Sequence, residues 1–113
     1  MENPIFIPIL FILIGIMFII IGLPLFLEKV KPNWFYGFRL PKTLSNKETW
    51  YKSNKYVGRD FIAAGFIIVF TTFLLLFFRD SFSLLDLTLF EIFLLLISAT
   101  LILVRGFIFL KKL

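Results

Sequence analysis

The chain has no cysteine and no histidine. Their absence excludes thiol nucleophiles, disulfides, imidazole acid–base chemistry and most zinc sites. Charge is scarce over most of the length. Pro4 to Leu27 and Phe61 to Phe78 carry no charged side chain, and Phe82 to Val104 carries only Asp86 and Glu91. The sequence also lacks a Gly-rich phosphate loop, a catalytic triad, a metal-ligand cluster, an internal repeat and a low-complexity linker. Glu28, Glu48 and Asp60 lie toward one end of the expected bundle, Asp86 and Glu91 toward the other, and no two of them form an evident acid–base pair. These absences point away from an enzyme and from any cofactor or metal.

What is present is hydrocarbon. Apolar residues make up 60% of the 113 positions, against roughly 45–50% in soluble domains. The excess sits in three blocks, each near the ~20 residues that a membrane-spanning helix needs. The expected fold is therefore an all-α integral membrane protein, a single domain over residues 1–113. Its spans fall at about 5–27, 57–78 and 82–104. The first block lacks a basic leader and a small-x-small cleavage site, so it reads as a retained helix rather than a signal peptide. Pro4 and Pro8 fall in its first turns, where a missing N–H is tolerated, and Pro24 is placed to kink its last turn.

Between the first two spans lies a polar stretch, residues 28–60. It holds Lys29, Lys31, Arg39, Lys42, Lys47, Lys52, Lys55 and Arg59, both tryptophans and all three tyrosines. Arg105, Lys111 and Lys112 follow the third span, and Arg79 alone marks the short turn between spans two and three. The positive-inside rule then puts the N-terminus outside and both the 28–60 loop and the C-terminus in the cytoplasm. The net charge of +5 is thus explained by topology and anionic lipid headgroups, with no need for nucleic acid.

Within the loop, Lys31-Pro32 stops a helix. Trp34, Phe35, Tyr36 and Phe38 form an aromatic cluster next to the membrane end, read as an interfacial aromatic belt, and Gly37 among them suggests positive φ or close backbone approach. Ser45 followed by Glu48 has the form of a capping box, so a helix is expected to start at Ser45. At 100° per residue, Trp50, Asn54, Gly58, Phe61 and Gly65 share a sector of roughly 80°, with Glu48, Lys52, Lys55 and Arg59 opposite. This is a short amphipathic helix. It either continues into the second span or lies on the membrane surface and turns inward at Gly58. Gly15, Gly22 and the Ala63-Ala64-Gly65 run permit close helix packing or simply face lipid.

Three features carry candidate chemistry. Arg39 has a planar five-donor fork suited to a carboxylate, to backbone carbonyls or to a lipid phosphate. Trp50 and Asn54, one turn apart, either lock the loop or touch a common ligand. Glu91 is the intramembrane candidate: a carboxyl there either faces other helices or water, or sits neutral near the outer interface. Arg105 is placed to snorkel toward the cytoplasmic headgroups.

The pattern Lys29-x-Lys31-x-Asn33, then Gly37-x-Arg39-x-Pro41-x-Thr43-Leu44, then Trp50, Asn54 and Gly58, resembles the SdpI family of bacterial membrane proteins. The resemblance implies a three-helix module and an immunity role against a secreted killing peptide. Leu40 stands where the family usually has Thr, which removes a hydroxyl from the motif. The chain is similar to the short form of the family. Longer members also carry a further hydrophobic half and capture a transcriptional repressor, and that role is not carried over. The expected partners are the lipid bilayer and a peptide toxin or another membrane protein. The competing reading is a small accessory protein whose loop docks a transporter or anionic headgroups.

Overall fold

The computed structural model describes residues 5–113; Pro4 lies outside them. Its order is α1 (Phe6–Phe26), α2 (Pro41–Leu44), α3 (Lys47–Phe77), a 3-10 turn (Arg79–Ser81) and α4 (Leu84–Lys111). Among the described residues there is no strand. Three helices, α1, α3 and α4, are long and apolar enough to cross a membrane. Their outer faces leave Leu13, Ile20, Phe70 and Leu96 exposed, as a lipid-facing belt requires, while the backbone polar groups pair within each helix.

α1 ends without glycine. Glu28 takes a left-handed φ of 58°. The Glu28 N–H donates to the Leu25 carbonyl at 3.2 Å and the Lys29 N–H to that of Pro24 at 2.9 Å. This pair of bonds is a Schellman ending. Pro24 lies inside the helix, which continues to Phe26.

One expectation is corrected at the start of α3. Ser45 is the C-cap residue of α2, and its hydroxyl donates to the Lys42 carbonyl. Asn46 caps α3 instead, its Oδ1 accepting from Glu48 N–H at 2.8 Å and Thr49 N–H at 3.3 Å. Asn satisfies the free N–H groups of a first turn as well as Ser does, and Glu48 pairs with Lys52 at 2.7 Å. At Gly58 the structure takes the first of the two alternatives, continuation into the second span. No bend occurs there, and α3 runs unbroken for 31 residues. At 1.5 Å per residue that is about 46 Å, longer than a hydrocarbon core of roughly 30 Å, so its first turns project beyond the apolar layer. The anticipated amphipathic phase holds: Trp50, Asn54, Gly58 and Gly65 are buried, while Glu48, Lys52, Lys55 and Arg59 are exposed. α4 likewise extends past the anticipated end, to Lys111.

The glycines decide the main packing contact. α1 and α3 run antiparallel, with Gly15 against Gly65 and Gly22 against Gly58. A Cβ at Gly22 would lie 2.5 Å from the Gly58 carbonyl, and one at Gly65 2.5 Å from that of Gly15. The repeat of seven residues on each helix brings the backbones together every two turns, the approach that small residues allow in lipid. α4 packs on α3 through Val57, Ala64 and Ile102, with Phe18 of α1, Phe38 and Phe61 filling around them. At the loop end, Arg105 Nε donates to Asp60 at 2.7 Å, and Tyr56 stacks on Phe109 at 4.2 Å. Arg105 therefore has a partner on α3 in addition to whatever solvent it reaches.

Candidate functional site

The loop after α1 is built from side chains that satisfy its own backbone. Asn33 makes four such bonds. Its Oδ1 accepts from Phe35 and Tyr36 N–H at 2.8 and 2.7 Å, and its Nδ2 donates to the carbonyls of Lys31 and Tyr36 at 2.7 and 3.1 Å. The result is an Asx-type turn that leaves Trp34 and Phe35 at its tip, 73% and 90% exposed. The Tyr36 hydroxyl donates back to the Ile21 carbonyl in α1. Partial burial raises its pKa above the ordinary phenol value, so it remains a donor at neutral pH.

The next residues are fixed from α3. Gly37 has φ of +123°, and a Cβ there would lie 2.8 Å from Asn54 Oδ1 and 2.9 Å from Trp50 Cη2. Both the dihedral and the space require glycine. Asn54 Oδ1 accepts from Phe38 N–H at 2.6 Å, and its Nδ2 donates to the Trp50 carbonyl at 3.0 Å. Trp50 is fully buried, and its indole donates to the Val30 carbonyl at 2.8 Å. Thr43, also fully buried, accepts from Leu40 N–H at 2.8 Å and lies 2.9 Å from the Phe38 carbonyl, to which it donates. Pro41 opens α2 at its first turn, where its missing N–H leaves no orphan.

α4 holds the far side of the loop. Lys42 Nζ donates to the Leu110 carbonyl at 2.8 Å, a cation on a helix C-terminus. The Phe38 ring meets Phe107 edge-on at 5.6 Å. The loop thus ties the ends of all three long helices together.

Arg39 is separate from Trp50 and Asn54. Its guanidinium is exposed and donates to the Trp34 carbonyl. It lines an open cleft of about 580 Å³ with Trp34, Leu40, Pro41, Leu44 and Ser45. Asn33, Gly37, Thr43, Trp50 and Asn54 shape the loop and Gly58 packs on α1, whereas Arg39, Pro41 and Leu44 border the cleft.

This loop, with α3 and most of α4, falls within the region that matches a known family. The model of the SdpI/YfhL protein family covers residues 29–109. The chain belongs to the SdpI/YfhL protein family. No curated protein and no solved structure matches it. For an SdpI/YfhL member an immunity role is implied by the family, and the bonds above show what these residues do in this chain.

Glu91 lies at the opposite end of this SdpI/YfhL bundle. Its side chain is buried between helices, with Thr72 Oγ1 donating to Oε1 at 2.9 Å. The contacts of Thr72, Lys42 and Asp60 appear only in the folded chain. A hydroxyl within the charge-free second block was the one available signal for Thr72; the other two are ordinary surface residues until the helices meet.

Proposed function

We propose that this membrane protein protects the cell envelope against a membrane-active peptide, with the Trp34–Arg39 rim as a contact surface. One observation carries the reading. Among the motif residues, Arg39 is the exposed charge beside an open cleft, on a loop tied to all three long helices. A fork held this way meets a carboxylate or a backbone carbonyl with little further loss of freedom. The three long helices act as one membrane domain. Eleven of the twelve basic residues are at the loop end, which supports a cytoplasmic loop and C-terminus and an outer 3-10 turn.

Arg39→Lys tests this. Lysine keeps the charge and loses the planar bidentate geometry. Survival of peptide-challenged cells is expected to fall while membrane abundance stays level. A fully protective variant sinks the role of the fork; equal loss of protection and abundance makes Arg39 structural.

A second reading has support from Trp34 and Phe35, whose exposure beside Lys29, Lys31 and Arg39 suits a headgroup layer. An accessory protein docking anionic lipid or a transporter would tolerate Arg39→Lys if charge alone mattered.

A further inference from the structure

Glu91 is not used by the loop. It sits about two turns into α4, 4% exposed. Thr72 Oγ1 is 2.9 Å from Oε1 and 2.7 Å from the Ile68 carbonyl. A hydroxyl has one hydrogen, so Thr72 cannot serve both oxygens fully. Oε2 has no hydrogen-bond partner among the described residues. A buried carboxyl oxygen in that state calls for a donor.

A cavity of about 20 Å³ adjoins this carboxyl, walled by Ile7, Phe11, Leu75, Leu84 and Leu87, with Arg79 also on its lining. Such a space admits one water-sized group. A primary ammonium fits that description, with its donors on a single nitrogen, whereas a trimethylammonium does not. The space takes the ammonium head alone, so the alkyl stem leaves the cavity past its aliphatic side chains.

We propose that Glu91 and Thr72 form a binding site for one primary ammonium on an apolar stem, the chemistry of a lysine side chain in a membrane-active peptide or of an amine-bearing lipid headgroup. The peptide source rests on the immunity reading, and the scarcity of basic residues at this end supports its facing outside, where a secreted peptide arrives.

The test uses the full chain in phosphatidylcholine nanodiscs, with glutamate carbon-13 labelled at Cδ. The Glu91 signal is assigned by its loss in Glu91→Gln. Titration with octylammonium is expected to shift that signal saturably, and octyltrimethylammonium to leave it in place. Thr72→Val, which keeps the shape, is expected to weaken the response. No shift with octylammonium, or the same shift with both amines, overturns the site. Discs containing phosphatidylethanolamine separate the sources: a shift without added amine assigns the site to lipid, and its absence leaves the peptide. Survival of challenged cells is scored independently. Amine binding without protection by the wild-type protein keeps the site and removes the immunity reading; protection without amine binding does the reverse.

Discussion

The indole N–H of Trp50 donates to the carbonyl of Val30 at 2.8 Å, joining α3 to the segment that leaves α1. Trp50→Phe keeps an aromatic ring there and deletes the donor. The Val30 carbonyl is only partly buried, so losing its donor costs at most about 1–3 kcal/mol, the range for a fully buried group. Amide exchange is expected to quicken across residues 29–40 and to stay unchanged in α1 around Gly15. Unaltered exchange in the loop would mean that the bond does not hold it.

The two neighbouring polar residues before α3 differ in role. Asn46→Ala removes the cap of α3 and is expected to cost about 0.5–2 kcal/mol, seen as faster exchange at Glu48 and Thr49. Ser45→Ala removes only a bond to the Lys42 carbonyl and is expected to leave those amides alone. The reverse order would place the cap at Ser45.

Gly22 and Gly58 face each other across α1 and α3. Gly58→Ala places a methyl 2.7 Å from both the Gly22 carbonyl oxygen and the Phe26 nitrogen. The helices must separate, at a cost of about 1–3 kcal/mol for an overpacked contact. Thermal unfolding in detergent is expected at a lower temperature for Gly58→Ala than for Ala63→Gly on the exposed face of the same helix. Equal melting would show that the backbones are not in contact.

Topology is read with single cysteines, because the chain has none of its own. Ser53 is a poor site: it is fully buried and its hydroxyl donates to the Thr49 carbonyl, so a thiol there is shielded whichever way the protein faces. Lys52 and Ser81 are exposed at opposite ends. In intact cells a membrane-impermeant thiol reagent is expected to label Ser81→Cys and to spare Lys52→Cys until the membrane is opened. Labelling of Lys52→Cys before permeabilisation reverses the orientation.

The spans were legible in the chain itself. Lipid offers no partner for a backbone N–H or C=O, so a long charge-free run is held to the helix, and Phe6–Phe26 lies within the interval anticipated for it. The phase of Trp50, Asn54 and Gly58 was legible for a similar reason: one helix turns every 3.6 residues whatever its surroundings. Boundaries were less so. Hydropathy falls off before Phe61, yet α3 begins at Lys47, because a polar, capped turn extends a helix into water as readily as an apolar one crosses lipid.

The membrane helices, the basic end and the family motif can be read along the chain, since none of them depends on how the helices pack. Which glycines meet, that Asn46 rather than Ser45 caps α3, and that Thr72 is the partner of Glu91 follow from the packing of the helices. It also separates Arg39, facing the cleft, from Trp50 and Asn54, which hold the loop. Lys42 reaches the Leu110 carbonyl across 68 residues of sequence. A contact of that kind depends on how three helices pack against one another, and no local run of residues specifies it.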